Sequence, residues 1–152
     1  SPLLATVAAR YPSMTRALLM VQREVADRIT APPGGKSFGP LTVMLQAMCD
    51  VRRTMTLPPT CFWPRPTIDS AVVELTRRDQ PLAGDSAALE AMTQRLFQKR
   101  RKQIGTILGR NAPLPTGIDP AMRPEQLTVE QIIAIAESAP TTDADPRKPR
   151  GR

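Results

Sequence analysis

The sequence predicts a chain in two parts, an α/β part followed by an all-helical part. An apolar run at residues 17–21 and an alternating segment at residues 70–76 are typical of strands, and helical segments lie between them. Beyond the second strand only helical periodicity and turns follow. We therefore assign residues 1–80 to the α/β part and residues 81–140 to a helical domain. The proline-rich, charged residues 141–152 are expected to be a disordered tail.

The α/β part begins with a helix and a strand, and two more helices follow. Leu3 to Arg10 has a helical pattern, and Ala17 to Val21 is an apolar run without alternation. Such runs suit a strand that is buried on both faces, as in a parallel sheet. Glu24 to Ile29 and Leu41 to Asp50 then show helical periodicity, separated by the turn-rich segment APPGGKSFGP.

Two further strands complete this part. Val51 to Leu57 ends at a pair of prolines, and Ser70 to Thr76 alternates between two sets of side chains. Because successive side chains of a strand point to opposite faces, Ala71, Val73 and Leu75 share one face.

A long helix opens the second part. Asp85 or Ser86 is placed to cap it, and its periodicity runs to about Leu108, where Gly109 provides a stop. Arg101 falls within the apolar stripe of this helix, so we expect a structural ion pair, with Glu125 as the partner. The stripe consists of Phe97, Arg101, Ile104 and Leu108.

The other basic residues of this helix are candidates for contacts with RNA phosphates. They are Arg95, Lys99, Arg100 and Lys102, and no acidic residue lies between positions 91 and 110. The net charge of +7 suits a nucleic-acid partner without establishing one. A solvated basic face without a ligand is the alternative.

Turn and capping signals organise the end of the helical part. Asp119 followed by Pro120 opens a short turn or helix. Thr128 and Gln131 have the spacing of a capping box before the apolar segment IIAIAESA. We therefore expect a last helix from this point.

Composition excludes several kinds of chemistry. The chain contains no histidine, so Ser-His-Asp and Cys-His mechanisms and imidazole metal sites are excluded within this chain. Its two cysteines, Cys49 and Cys61, are too few for a disulfide framework and too isolated for a zinc site, and we expect both to be buried thiols. No apolar run is long enough for a membrane span, and we expect a cytoplasmic protein without a membrane partner.

The loop CFWPRP is the most specific local signal. The chain has only one tryptophan, one tyrosine and three phenylalanines, yet Phe62 and Trp63 stand together here. Pro64 and Pro66 each restrict their own φ and the residue before them, so the loop is stiff. A stiff loop suits the presentation of a ring to a planar ligand, and a ring packed into the core is equally compatible with these residues.

Two other segments have structural explanations. GGKSFG lacks the spacing of a phosphate-binding loop and does not follow its strand directly, so we predict a tight connection there. Glu24 and Arg28 are spaced as an ordinary i,i+4 helix pair, which disfavours a role in acid-base catalysis.

Five segments in order resemble one family of enzymes. They are VQREVADRI, GGKSFGPLTVMLQ, PPTCFWPRPTIDSAVVEL, FQKRRKQIGTIL and GIDPAMRPEQLT. Together they resemble the ribosomal RNA adenine dimethyltransferases, the kasugamycin-resistance family, over roughly residues 1–139. The resemblance implies S-adenosylmethionine-dependent N6,N6-dimethylation of two adjacent adenosines near the 3′ end of 16S rRNA. It also implies the pre-30S particle as partner.

The resemblance further implies roles for single residues. In the family the loop ring stacks on the target adenine, and here that ring is Phe62, with Pro64 and Pro66 as its support. Trp63 and Arg65 depart from the common pattern, so Trp63 inherits no role and a phosphate contact by Arg65 is only weakly supported. The cofactor-binding glycine loop and the Asn-Leu-Pro-Tyr motif of the family would precede Ser1. We therefore expect a fragment that binds no cofactor and is inactive alone.

The family fold also predicts how the strands are arranged. The chain would contain the last three strands of a Rossmann-like sheet, with residues 70–76 in the middle and antiparallel. The free edge at residues 17–21 would then invite self-association. Two alternative functions stay open: a non-catalytic RNA-binding or ribosome-assembly module, and a related adenine methylase with another RNA target.

Overall fold

The computed structural model describes residues 13–109 and 111–139. In chain order the elements are β1 (Arg16–Gln22), α1 (Arg23–Ile29), α2 (Pro40–Met48), β2 (Cys49–Leu57), β3 (Ser70–Arg77), α3 (Ser86–Gln98), α4 (Ile104–Leu108) and α5 (Val129–Ser138), with 3-10 turns at Pro59–Cys61 and Pro124–Gln126. The predicted helix at residues 3–10 and the predicted tail at residues 141–152 lie outside the described residues.

The three strands form one sheet in the order β1-β3-β2. β3 runs antiparallel to both neighbours, so β1 and β2 are parallel to each other, with α1 and α2 in the connection between them. This confirms the arrangement implied by the resemblance. Ala71, Val73 and Leu75 are at most 1% exposed, so the face that these three residues share is the buried face of the sheet.

β1 is not buried on both faces, and the prediction from its apolar run is wrong. Leu18 and Met20 are 61% and 59% exposed, whereas Leu19 and Val21 pack against the core between the sheet and α1. The helices of the described residues cover only this inner face. One edge of β1 also has no strand beside it in the part of the chain that the structure describes. Self-association through that edge stays a prediction.

A carboxylate on the outer face of the sheet joins all three strands. Glu74 of β3 accepts from Arg52 of β2 at 2.7 Å and pairs with Arg16 of β1 at 2.5 Å. Hydrogen bonds from Arg52 and Arg16 lower the pKa of Glu74 below its ordinary value. Because its folded-state pKa is lowered, Glu74 stabilises the folded chain at neutral pH, and this stabilisation is lost as the pH falls through the lowered pKa.

Helix α2 belongs to both cores of the molecule. Its Leu45 and Met48 pack with α1 and the sheet, whereas Val43 and Ala47 pack with the helices that follow β3. Phe38, just before α2, is fully buried in the second core, and its ring centroid lies 6.2 Å from that of Phe97. Residues that precede the sheet's last strands therefore help to build the helical core.

The long helix predicted from residue 85 to Leu108 is two helices. Of the two predicted caps, Asp85 is the one that caps the helix, since Asp85 Oδ1 accepts from the amides of Ala87 and Ala88 at 2.9 and 3.0 Å. However, α3 ends at Gln98 and α4 begins only at Ile104. Gly109, with φ of 111°, then ends α4 as expected.

A tertiary contact accounts for the interruption. The amide of Ile104 donates to the carbonyl of Met122 at 2.8 Å, and that of Gly105 donates to Pro120 at 3.0 Å. These donors are therefore not available to the preceding helical turn. A Cβ on Gly105 would lie 2.9 Å from the Cβ of Pro120, so glycine permits the close approach of α4 to this turn.

The end of the chain follows the predicted signals. Asp119 Oδ1 accepts from the amide of Ala121 at 2.8 Å in a turn. The capping box of α5 is confirmed, because the amide of Gln131 donates to Thr128 Oγ1 and the amide of Thr128 donates to Gln131 Oε1. No helix within the described residues has the length and apolar character that a membrane span requires.

Candidate nucleic-acid interface

The loop between β2 and β3 holds two adjacent aromatic residues, Phe62 and Trp63, which differ in exposure. The amides of Cys61 and Phe62 donate to the carbonyls of Pro58 and Pro59, which closes a 3-10 turn. Phe62 then has extended backbone, with φ of −125° and ψ of 151°, and the Trp63–Pro64 peptide bond is cis. Phe62 is half-buried, whereas Trp63 is 97% exposed.

The loop is anchored where β1 ends and β3 begins. Arg23 donates to the Asp69 carboxylate at 2.8 Å, and its amide donates to the Asp69 carbonyl at 3.0 Å. A cavity of about 310 Å³ opens beside this pair. It is lined by Gln22, Arg23, Glu24, Thr67, Ile68 and Asp69. The sequence motifs did not single out Arg23, because its partner is 46 residues away in the chain.

A second, basic cavity lies at the interruption between α3 and α4. Its volume is about 450 Å³. The cavity is lined by Phe97, Gln98, Lys99, Arg100, Arg101, Lys102 and Thr106. Lys99, Arg101 and Lys102 are exposed, and we call these three residues the basic turn. Three cations close together in the chain can meet a phosphate backbone.

Arg100 and Arg101 differ from their predicted roles: Arg100 is the arginine that pairs within the protein, and Arg101 is the exposed one. The predicted pairing of Arg101 with Glu125 is wrong: Arg101 is exposed, because the interruption takes it off the apolar stripe. Arg100 instead donates to the carbonyls of Gly35 and Lys36 at 3.2 and 2.8 Å, and its Nε lies 3.7 Å from Glu125 Oε2. Arg100 is therefore largely engaged within the protein.

The other three predicted RNA contacts, Arg95, Lys99 and Lys102, lie in different settings. Lys99 and Lys102 both line the basic cavity. Arg95 lies on α3 outside the lining, and it donates to the carbonyl of Ile107 at 3.4 Å. Lys102 also lies beyond the end of α3, so these cations do not share a helix face as the long-helix prediction implied.

The GGKSFG segment is the predicted tight connection, and it lies between α1 and α2. The amide of Gly34, at φ of 84°, donates to the carbonyl of Glu125 at 2.6 Å, while the amides of Gly35 and Phe38 donate within the loop. These amides are therefore not free to hold a phosphate. The loop instead offers its carbonyls to Arg100. Glu24 and Arg28 form the predicted helix pair at 2.8 Å.

The two cysteines differ in exposure, so the expectation of two buried thiols is wrong for one of them. Cys49 is buried at the start of β2, and burial raises the pKa of its thiol, partly offset by Arg77 and Arg78. Cys61 is exposed beside Phe62, because the 3-10 turn holds it on the surface.

We expect a thiol reagent to modify one cysteine of the folded chain rapidly. Cys61 should react, whereas Cys49 should react only after unfolding, since its sulfur is buried and its thiolate is disfavoured. Titration with a chromogenic disulfide, with and without denaturant, measures both steps. Cys61→Ser should remove the rapid step and Cys49→Ser should leave it. Two rapid equivalents in the native protein would contradict this assignment.

Comparison with solved structures defines the class of fold. The chain superposes on a crystal structure of a dimethyladenosine transferase from Plasmodium falciparum with a TM-score of 0.76 and 20% identity, covering 88% of this chain and 60% of that chain. It superposes on the 23S rRNA methyltransferase ErmE with a TM-score of 0.67 and 21% identity, covering 90% and 59%. The chain therefore has part of a methyltransferase fold.

Comparison of sequences defines the family. The profile described as Ribosomal RNA adenine dimethylase matches residues 2–140. Ribosomal RNA small subunit methyltransferase A of Nitratidesulfovibrio vulgaris (strain DP4) is 42% identical over 146 residues, covering 91% of this chain and 55% of the relative. The protein of the same name from Streptomyces griseus subsp. griseus is 40% identical over 150 residues, covering 91% and 52%. The chain belongs to the ribosomal RNA adenine dimethylase family, and it spans about half the length of these curated relatives.

Proposed function

We propose that this chain is the carboxyl-terminal part of an enzyme that dimethylates N6 of two adjacent adenosines near the 3′ end of 16S rRNA. Its substrate would be the RNA of the pre-30S particle, and its site of action the cytoplasm. The match of residues 2–140 to the adenine dimethylase family is the observation that carries this proposal. The stiff loop with Phe62 and the basic turn are compatible with a flipped base and a phosphate backbone.

The methyl donor would be S-adenosylmethionine, held by residues outside those that the structure describes. The glycine-rich segment at residues 34–38 does not fit the cofactor, because the amides of Gly34, Gly35 and Phe38 donate to protein carbonyls. We propose that the family's glycine loop and Asn-Leu-Pro-Tyr motif precede this chain in the complete enzyme. The chain alone would then be inactive.

The described residues would contribute positioning. An adenine amino group is a weak nucleophile because its lone pair is delocalised into the ring. Phe62 would hold the flipped base by stacking, and Pro64 and Pro66 would hold the loop that carries the ring. Fixed orientation lowers the entropic part of the barrier without a proton-transferring side chain.

A direct test uses the complete enzyme on precursor small-subunit particles. Mass spectrometry of the digested RNA should show dimethyladenosine at two adjacent positions near the 3′ end, dependent on S-adenosylmethionine. Methylation of a different RNA would favour a related adenine methylase. The absence of any methylation, together with binding to the particle, would favour a non-catalytic assembly module. The cofactor should show no heat of binding to the present chain in a calorimetric titration.

We propose that the basic turn carries the RNA contact, with Lys99 and Lys102 supplying two of the phosphate contacts predicted from the sequence. Arg101 would join them because it is exposed on the same cavity. Arg95 stays a candidate at the edge of this surface. Arg100 would act mainly through its bonds to the 34–38 segment.

The salt dependence of RNA binding should report these contacts. Replacing Lys99, Arg101 and Lys102 together with methionine should reduce the slope of log affinity against log salt by about 2 units, at roughly 0.7 unit for each contact with single-stranded RNA. Fluorescence anisotropy of a labelled oligonucleotide measures the slope. Arg28→Met removes a charge from an exposed ion pair elsewhere and should leave the slope unchanged. Equal slopes for the triple variant and the parent would place the RNA on another surface.

A further inference from the structure

Trp63 is the most exposed of the large apolar side chains in the described residues, at 97%. Tryptophan is usually highly buried on average, because its ring is the largest apolar surface that a residue can remove from water. The other exposed large apolar side chains reach at most 61%. The exposure of Trp63 therefore needs an explanation that core packing does not supply.

The backbone beside this ring is held in place. The 3-10 turn closes the loop before Phe62, Pro64 and Pro66 restrict the chain after it, and Asp69 fastens the end of the loop to Arg23. A ring on a restrained backbone loses little conformational entropy when a ligand stacks on it. The loop is therefore suited to hold the indole out for binding.

The two rings of the loop have different surroundings. Phe62 is in extended conformation, and successive side chains of an extended chain point to opposite sides. This agrees with the exposures, since Phe62 is half-buried and Trp63 is almost fully in solvent. Each ring therefore faces a different space.

Charge favours a nucleic acid as the ligand of the indole. Arg65 is exposed two residues after Trp63, and the chain carries a net charge of +7. An aromatic face beside a guanidinium can take one nucleotide of a single strand, the base on the ring and the phosphate on the cation. A neutral apolar partner would gain nothing from Arg65.

We propose that Trp63 is a second stacking platform, which takes an unpaired base of the RNA strand close to the adenine assigned to Phe62, with Arg65 on a phosphate. This inference rests on the proposed function, because it requires RNA as the ligand. It adds a residue that binds substrate without touching the reacting amino group. Trp63 would thereby contribute to RNA affinity and to the register of the strand.

The test uses the full chain and a short single-stranded oligoadenylate. Trp63 is the only tryptophan, so the intrinsic indole fluorescence reports this one ring. RNA should quench the emission in parallel with an independent anisotropy signal from labelled RNA. Trp63→Ala should weaken RNA affinity about 5- to 150-fold, and Trp63→Phe should retain most of it. Arg65→Met should reduce the salt slope by about 0.7 unit.

Several results would overturn the proposal. Anisotropy that reports binding without quenching, with equal affinity for Trp63→Ala, would remove Trp63 from the interface and leave the proposed function intact. No RNA binding by the chain at all would overturn this inference, and no methylation by the complete enzyme would separately overturn the proposed function. A blue shift of the emission with rising protein concentration would show that the ring is buried against a second copy of the chain and not kept for RNA. In the complete enzyme, acrylamide quenching that is the same for the parent and for Trp63→Phe before RNA is added would show that the upstream half covers this ring.

Discussion

Replacing Phe62 with alanine in the complete enzyme should lower the rate of adenine dimethylation by about 5- to 150-fold. The estimate follows from the roughly 1 to 3 kcal/mol that stacking of a base on an aromatic side chain provides, applied to the barrier of methyl transfer. The loop backbone should survive the change, because the turn before Phe62 is closed by main-chain bonds and its far end by Arg23 and Asp69. Single-turnover methylation of precursor particles measures the effect.

Two comparisons make the Phe62 result specific. Phe62→Tyr keeps the ring and should retain most of the rate, while Phe62→Leu keeps apolar bulk and should resemble alanine. Affinity for S-adenosylmethionine should stay nearly unchanged in all three, since the cofactor is assigned to other residues. An unchanged rate for Phe62→Ala, or a loss that appears equally in cofactor affinity, would defeat the assignment of this ring to the adenine.

Replacing Arg100 with methionine should destabilise the chain by roughly 1 to 2 kcal/mol. Hydrogen bonds that involve a charged group contribute about 1.5 to 3 kcal/mol, and the exposure of 36% of the Arg100 side chain reduces the expected loss. The variant leaves the carbonyls of Gly35 and Lys36 without this donor and Glu125 without its nearby cation. Urea unfolding followed by far-UV circular dichroism measures the change in midpoint.

Lys99→Met is the matched control for Arg100→Met. Lys99 is the adjacent cation, it is exposed, and it lines the same cavity. Its loss should leave the urea midpoint in place and weaken RNA binding. The two substitutions should therefore distinguish Arg100, which stabilises the fold through the 34–38 segment, from Lys99, which contacts RNA. If Arg100→Met were as stable as the parent and bound RNA more weakly, Arg100 would be an RNA contact, as the sequence predicted.

Local signals predicted most of the elements because they depend on near neighbours in the chain. The alternation of residues 70–76, the cap at Asp85 and the box of Thr128 with Gln131 each act over a few residues, and each is present in the structure. The order of the strands came from the family resemblance, because pairing joins segments such as β1 and β3 that are far apart in sequence.

The errors arose where distant groups compete with local preference. The apolar periodicity predicted a helix that continues through residues 99–103. In the structure the helix is interrupted there, because the amides of Ile104 and Gly105 donate to the turn that contains Pro120. As a result Arg100 bonds to protein carbonyls and Arg101 is exposed, which is the reverse of the prediction. The apolar run of β1 likewise predicted burial on two faces, although covering a face requires another element to pack on it.

The amino-acid sequence was enough to indicate the family, the alternation of strands and helices, and a stiff aromatic loop in a basic chain without histidine. It left open whether either ring of that loop is packed into the core or exposed to a ligand. Tertiary structure alone decided that Trp63 is in solvent while Phe62 is half-buried, and that Arg100 is bound while the basic turn is exposed. The physical reason is that exposure depends on which distant backbone groups reach a side chain, and a hydrogen bond across some 65 residues leaves no local pattern.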